Sequence, residues 1–301
     1  MTLGIAVMLF AFCWLRVWIV GFLPMQNFEA ILKQFPQVEQ FLPVSISEMI
    51  TYNGRIALVF NELIVVVGIS VWAITRGSDV VSGELARGTM EMVLAQPVSR
   101  RAVFWTKTST GLIGLLLLVM ACWLGIYFGI KNTTVPKVLP IVGIGPAAAL
   151  MIDPPTIRAP LSAEVSSLTF LSATFNLFSL GVFLTGVTTA LSSLDRYRWR
   201  TIGMASALFA VSLVIKIVAI ATPQYSWLRW LTFLNAYEPQ RVVQIAAERP
   251  EQLWLFWIAD VPANATHLGP LGMNSLLLGL GVLGLMVASE IFARRDLPAP
   301  Y

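Results

Sequence analysis

An all-α membrane protein with six transmembrane helices is the fold class the sequence predicts, and three observations carry it. The 301 residues are 57% hydrophobic and only 12% charged, where a soluble domain of ordinary composition is about 25% charged. Apolar runs long enough to cross a hydrocarbon core of roughly 30 Å occur six times. One strongly polar stretch, Arg76 to Lys107, separates the second run from the third and reads as a cytoplasmic segment carrying an amphipathic helix.

The spans fall near 2–23, 55–75, 103–130, 168–194, 201–221 and 269–293, within a single domain over 1–301. The first has no charged leading region and no small-residue cleavage site, and it is longer than the apolar core of a signal peptide. It reads as a retained span. Six spans put both termini on one side. Segments 76–107, 195–200 and 294–301 hold ten Lys and Arg, while 24–55, 131–167 and 222–268 hold eight over more than twice the length. The denser set, with both termini, is expected in the cytoplasm, and the chain in a bacterial-type inner (plasma) membrane.

Three external segments follow from that orientation. In 24–54, Phe28, Ile31, Leu32 and Phe35 recur at mixed helical spacing around Pro36 and Pro43, which predicts broken amphipathic helices on the outer interface. Six prolines in 131–167 argue against long helices there and predict an irregular cap. In 222–268, Trp227, Trp230, Trp254 and Trp257 suit the outer headgroup level, as Trp72, Trp105 and Trp199 suit the cytoplasmic one.

Charges inside spans need a reason. Arg16 and Glu62 lie at matching depth in the first two spans, and the expectation is a pair across adjacent helices. The alternative is that Arg16 snorkels outward while Glu62 faces a wet cavity or is protonated. Lys216 is close enough to the outer end of the fifth span to snorkel, and Glu290 lies one turn before Arg294, an i,i+4 pair. Gly125 and Gly129, and the trio Gly279, Gly281 and Gly284, mark helix packing faces.

Several chemistries lack their residues. No GxxxxGK[ST] loop occurs, so ATP hydrolysis is not expected in this chain. His267 is the lone histidine, Cys13 and Cys122 lie inside apolar runs without ligand spacing, and no GxSxG elbow is present. No metal site and no catalytic residue is expected. The net charge of +4 comes without a basic, aromatic-rich tract, so no nucleic-acid partner is expected.

Within the polar stretch, Ser82 to Ala95 drawn as one helix puts Glu84, Arg87 and Glu91 on one face and Leu85, Thr89, Met92 and Val93 on another. Ser82 is the expected N-cap, and Glu84 stands where the helix dipole favours an anion. Pro97 ends the helix, and Ser99 caps the next one, which carries Arg100, Arg101 and Lys107 toward an anionic lipid surface. Gly88 costs about 1 kcal/mol relative to alanine, which implies either a close backbone neighbour or a bend. Two readings fit these residues: a solvated, positive-inside loop with a helix in the lipid interface, or a helix built to dock another protein.

The run SGELARGTMEMVLAQPVSR, followed by Lys107, resembles the signature of ABC-2 type transporter permeases. There a Ser-Gly-Glu, an Arg-Gly-Thr and a Pro-Val-Ser-Arg recur in this order between the second and third spans. The stretch from Phe292 to Leu297 looks like the family's ending after its last span, so the resemblance covers nearly the whole chain. It implies the permease subunit of an ATP-driven ABC transporter, an exporter, embedded in the lipid bilayer and dimeric with a second copy or a homologous permease. ATP and Mg would be bound by separate ABC ATPase subunits, with no cofactor in this chain.

The resemblance also assigns the segment 76–102 as cytoplasmic coupling segment, with a coupling helix between spans 2 and 3 that docks in a cleft of the ATPase. Ser82, Gly83, Glu84, Arg87, Gly88, Thr89, Glu91, Gln96, Pro97 and Arg100 are the residues it places at that contact. Family members commonly carry a cytoplasmic amphipathic helix before the first span. Here Met1-Thr2-Leu3 already opens that span, which leaves docking on the amino-terminal side unsupported. The rival reading is an ATP-independent secondary transporter or channel, which predicts midplane charges and matched Gly or Pro interruptions that this chain offers sparsely. A non-transporting membrane assembly subunit is the third, distinguished by whether flux follows ATP.

Overall fold

Backbone polar groups in hydrocarbon must be satisfied within the chain, so each long apolar run closes into a helix. In the computed structural model, residues 2–22, 51–138, 156–260 and 265–295 are described. Helix α1 is Thr2–Phe22. The second span is entered in pieces: α2 (Tyr52–Ala57), a 3₁₀ turn (Leu58–Asn61), and then α3 (Leu63–Ser78), with Glu62 extended at the junction. One π-helical turn (Asp79–Gly83) carries α3 on into α4 (Glu84–Arg87), and α5 (Thr89–Leu94) follows. The later helices are α6 (Arg100–Asn132), α7 (Thr169–Leu194), α8 (Arg198–Ala221), α9 (Pro239–Glu248) and α10 (Pro270–Arg294). Among the described residues, six helices are long and apolar enough to cross a membrane. The 33 residues of α6 reach about 50 Å at 1.5 Å per residue, so its first turns project beyond the hydrocarbon.

Helix α7 is the hub. Of its most apolar window 72% is buried, against 22% for α1 and 17% for α8, which face outward. It packs against α10, α3, α6 and α9. A Cβ on Gly186 would lie 2.1 Å from the Gly281 carbonyl oxygen, so the α7 and α10 backbones touch where only glycine fits. Gly125 and Gly129 serve α6 the same way, set against Phe10 and Val17 of α1. Asn176 Nδ2 donates to Asn274 Oδ1 at 2.9 Å and to the Ala236 carbonyl at 3.0 Å, joining α7, α10 and the 3₁₀ turn Phe233–Ala236.

The connections between spans are not wholly helical, and 131–167, expected as an irregular cap, contributes a hairpin. Strands β1 (Thr134–Val138) and β2 (Thr156–Pro160) form an antiparallel hairpin with Val135 opposite Ala159, and β3 (Trp257–Asp260) pairs with β4 (Ala265–Leu268). Two-stranded ribbons are all edge, which is why Pro136 and Pro160 are tolerated. The amphipathic pattern around Phe28, Pro36 and Pro43 lies outside the described residues.

Two single-residue expectations are corrected. Trp72 is turned into the bundle and not out toward lipid: it is 4% exposed, with its six-membered ring against Gly114. Trp105, Trp199, Trp227, Trp230, Trp254 and Trp257 are exposed. Lys216 does not snorkel freely: its Nζ donates to the carbonyls of Leu234 at 2.7 Å and Tyr237 at 2.9 Å, which bring the chain after α8 to the charge. Arg16 Nη2 lies 2.7 Å from Glu62 Oε1 across α1 and the start of α3. Glu290 pairs with Arg294 and, at 2.7 Å, with Arg101 of α6.

Candidate functional site

Small hydroxyls on apolar helices hydrogen-bond a neighbouring helix, and the polar end of this bundle is organised by such a set. Ser192 Oγ of α7 accepts from Ser82 N at 2.8 Å and lies 3.0 Å from both Ser82 Oγ and the Ser78 carbonyl. Ser82 Oγ donates to the Ser78 carbonyl at 2.9 Å and lies 3.2 Å from Thr201 Oγ1 of α8. Ser78, Ser82, Ser192 and Thr201 are fully buried. The π-helical turn inserts its extra residue here, which frees backbone groups that these hydroxyls satisfy.

Beyond this clasp stands a charged hub. Glu84 Oε1 lies 2.7 Å from Lys107 Nζ and 2.8 Å from Arg87 Nη2, and Thr89 Oγ1 donates to Oε2. Arg87 Nη1 reaches back to Asp79 Oδ1 at 2.8 Å, and Arg198 of α8 approaches the same oxygen at 3.6 Å. Glu84 lies in the charged stretch that follows the apolar residues of the second span. Burial pushes its carboxyl up, but the hydrogen bonds from Lys107, Thr89 and Arg87 and the Lys107 charge outweigh it and hold the group down at about 2. A cavity of about 190 Å³ opens between the hub and α6, lined by Arg76, Asp79, Glu84, Thr106, Lys107 and Thr110.

The single helix from Ser82 to Ala95 is corrected. Ser82 is buried inside a helix already running from α3, so it caps nothing. The break comes at Gly88, which is left-handed (φ 71°) and donates its N–H to the Leu85 carbonyl at 3.1 Å. A Cβ there would meet nothing within 4 Å, so the glycine serves a bend and not a close approach. Glu84 and Arg87 lie before the bend, while Glu91 lies after it on α5 and does not share their helix. Met92, expected on the apolar face, is 72% exposed, and Met90 is buried instead with Val80, Val81, Phe104 and Phe292.

Gln96 and Pro97 sit in the exposed turn that follows, and Ser99 Oγ caps α6 by accepting from Ala102 N at 3.2 Å. Arg100 is turned away from the hub, donating to the Arg295 carbonyl at 2.6 Å. Gly83 stands against Asp79, where an added Cβ would be 2.4 Å from Oδ1. Asp79, Arg198, Ser78, Ser192 and Thr201 are parts of this assembly that carry no motif in the sequence. The visible signal was Ser78 and Ser82, one helical turn apart at the end of an apolar run. Among the described residues no cluster of His, Cys, Asp or Glu could hold a metal.

The elbow so formed is keyed to α3 by an unbroken helical path, to α6 through Lys107, to α7 through Ser192 and to α8 through Thr201 and Arg198. No curated protein and no solved structure matches the chain significantly. The sequence model of one family, described as ABC-2 family transporter protein, matches residues 1–297. That match takes in all six spans and the elbow between the second and third, and the chain therefore belongs to the ABC-2 transporter family, as a membrane transport subunit.

Proposed function

We propose that this chain is the permease subunit of an ATP-driven exporter, with ATP and Mg bound by separate ABC ATPase chains. The elbow, Glu84 to Pro97, is the contact with the ATPase, and it lies on the cytoplasmic side together with both termini. The observation that supports this reading is mechanical. A push on an isolated loop would be absorbed by the loop, but this elbow is ion-paired to α6 through Lys107 and continues without a break from the π-helical turn, whose Ser82 and Asp79 are bonded to α7 and α8. Load applied at Glu84 therefore reaches four spans at once. Closure of two ATPases would rock these spans as a unit, the rigid-body mode of alternating access. The sparsely buried α1 and α8 leave their faces for lipid and for a second permease copy, identical or homologous.

The test is co-purification of the chain with ATPase subunits of its own cell, comparing wild type with a Glu84→Ala, Arg87→Ala double variant that still reaches the membrane. Capture by wild type and loss in the double variant is the expected result. Failure of wild type to capture any ATPase would favour the ATP-independent transporter instead.

A further inference from the structure

Where α1 runs beside α3 the bundle leaves a trough of about 430 Å³, within the range of small-molecule sites. Its walls are Ile5 and Met8 of α1 and Val67, Gly68 and Val71 of α3. Met8 and Val71 are 50% and 55% exposed, so the trough opens sideways toward lipid. Its polar end is formed by Arg76, Asp79 and Arg198.

The charges at that end do not cancel. Asp79 Oδ1 is engaged by Arg87 at 2.8 Å and approached by Arg198 at 3.6 Å. Arg87, Arg101, Lys107 and Arg198 each have a carboxylate within 4.0 Å. Arg76 has none among the described residues; its guanidinium rests on the Trp72 ring, 4.6 Å from the centroid. Trp72, which lines the same trough, keeps a buried Nε1–H with no acceptor among the described residues. A guanidinium fork presents donors that match phosphate oxygens, and such a group facing an apolar, lipid-open channel suits a molecule with an anionic phosphate head and an acyl tail.

We propose that this trough binds one anionic glycerophospholipid from the leaflet on the Arg76 side, phosphate on Arg76 and acyl chain between α1 and α3. Only the naming of that leaflet as cytoplasmic depends on the orientation proposed above. Binding needs no ATPase, so it stands or falls apart from the transport reading.

The experiment is native mass spectrometry of the purified full chain equilibrated with phosphatidylglycerol or phosphatidylcholine of equal chain length. A parallel arm adds glycerol 3-phosphate. Wild type is expected to retain one phosphatidylglycerol with a preference of about five-fold, the size of one surface cation's attraction for an anionic lipid. Arg76→Gln should erase the preference and Arg76→Lys should restore part of it. Val71→Trp, which fills the lipid-facing lip without touching the charges, should expel both lipids at unchanged thermal stability. Equal retention of the two lipids by wild type, retention of phosphatidylglycerol in both Arg76→Gln and Val71→Trp, or glycerol 3-phosphate competing as well as the lipid would each overturn the site. So would cross-linking that buries Met8 and Val71 against a second copy.

Discussion

Lys107, on the helix that follows the elbow, reaches Glu84, on the segment that precedes it, with Nζ 2.7 Å from Oε1. The pair closes the elbow across α6 and the end of the second span, and Arg87 and Thr89 complete the carboxylate's donors. Without it the bend at Gly88 would be held by Arg87 on Asp79 and Glu84, by Thr89 on Glu84 and by the packing of Leu85 and Met90, with no tie to α6 through Lys107.

Glu84→Gln keeps the shape of the side chain and removes its charge. Hydrogen bonds to charged groups contribute about 1.5–3 kcal/mol each before solvent screening, and the Glu84 side chain is 17% exposed. The expected loss is about 2 kcal/mol in all, read as a lower Tm in detergent and faster proteolytic cutting after the bend. An unchanged Tm and cutting rate would mean that the three donors are idle.

The same carboxyl sets a pH dependence. Its folded pKa lies below the ordinary 4.5, at about 2, so its stabilisation is complete above about 4.5 and fades as pH falls toward about 2. The Tm difference between wild type and Glu84→Gln should stay constant from pH 7 to 5 and shrink below pH 4.5. A difference that instead changes between pH 5 and 7 would point to another group.

Gly88 is left-handed in open space, so only its backbone is at issue. Gly88→Ala should cost about 1 kcal/mol and Gly88→Asn less, since asparagine tolerates that conformation. Equal Tm shifts for the two would argue against the bend. A double cycle of Arg16→Ala and Glu62→Gln should give a coupling energy of about 1 kcal/mol, the order found for residues in direct contact. Additive losses would mean that the two charges act separately.

Gly186 lies under the Gly281 carbonyl, and backbone cannot step aside. Gly186→Val should prevent accumulation of folded protein, a loss of several kcal/mol. Gly203→Val, where a Cβ meets nothing within 4 Å, is the control and should accumulate normally.

Much of this was legible in the chain because the solvent is so demanding: hydropathy alone placed the six helices, and matching depth set Arg16 against Glu62. Ser99 announced its own capping role through the proline two residues before it. Illegible features were those set by tertiary contact. Ser82 has the look of an N-cap, yet Ser192, far away in sequence, draws it into the core and lets the helix continue through it. With the bend at Gly88, Met92, which an ideal wheel puts on the apolar face, stands exposed and Met90 is buried. Lys216 could be read only as a charge near a span end, since its partners are carbonyls of the turn around Leu234 and Tyr237. The β-hairpins rest on short segments whose alternation is too brief to stand out beside six long helices.

The contact proposed between elbow and ATPase can be read directly. A photo-reactive phenylalanine placed at Met92, exposed on α5, should cross-link to an ABC ATPase subunit in intact cells. The same group at Ile157, exposed on the outer hairpin, should not. Cross-linking from Ile157, or none from Met92 in a chain shown to be in the membrane, would contradict the account.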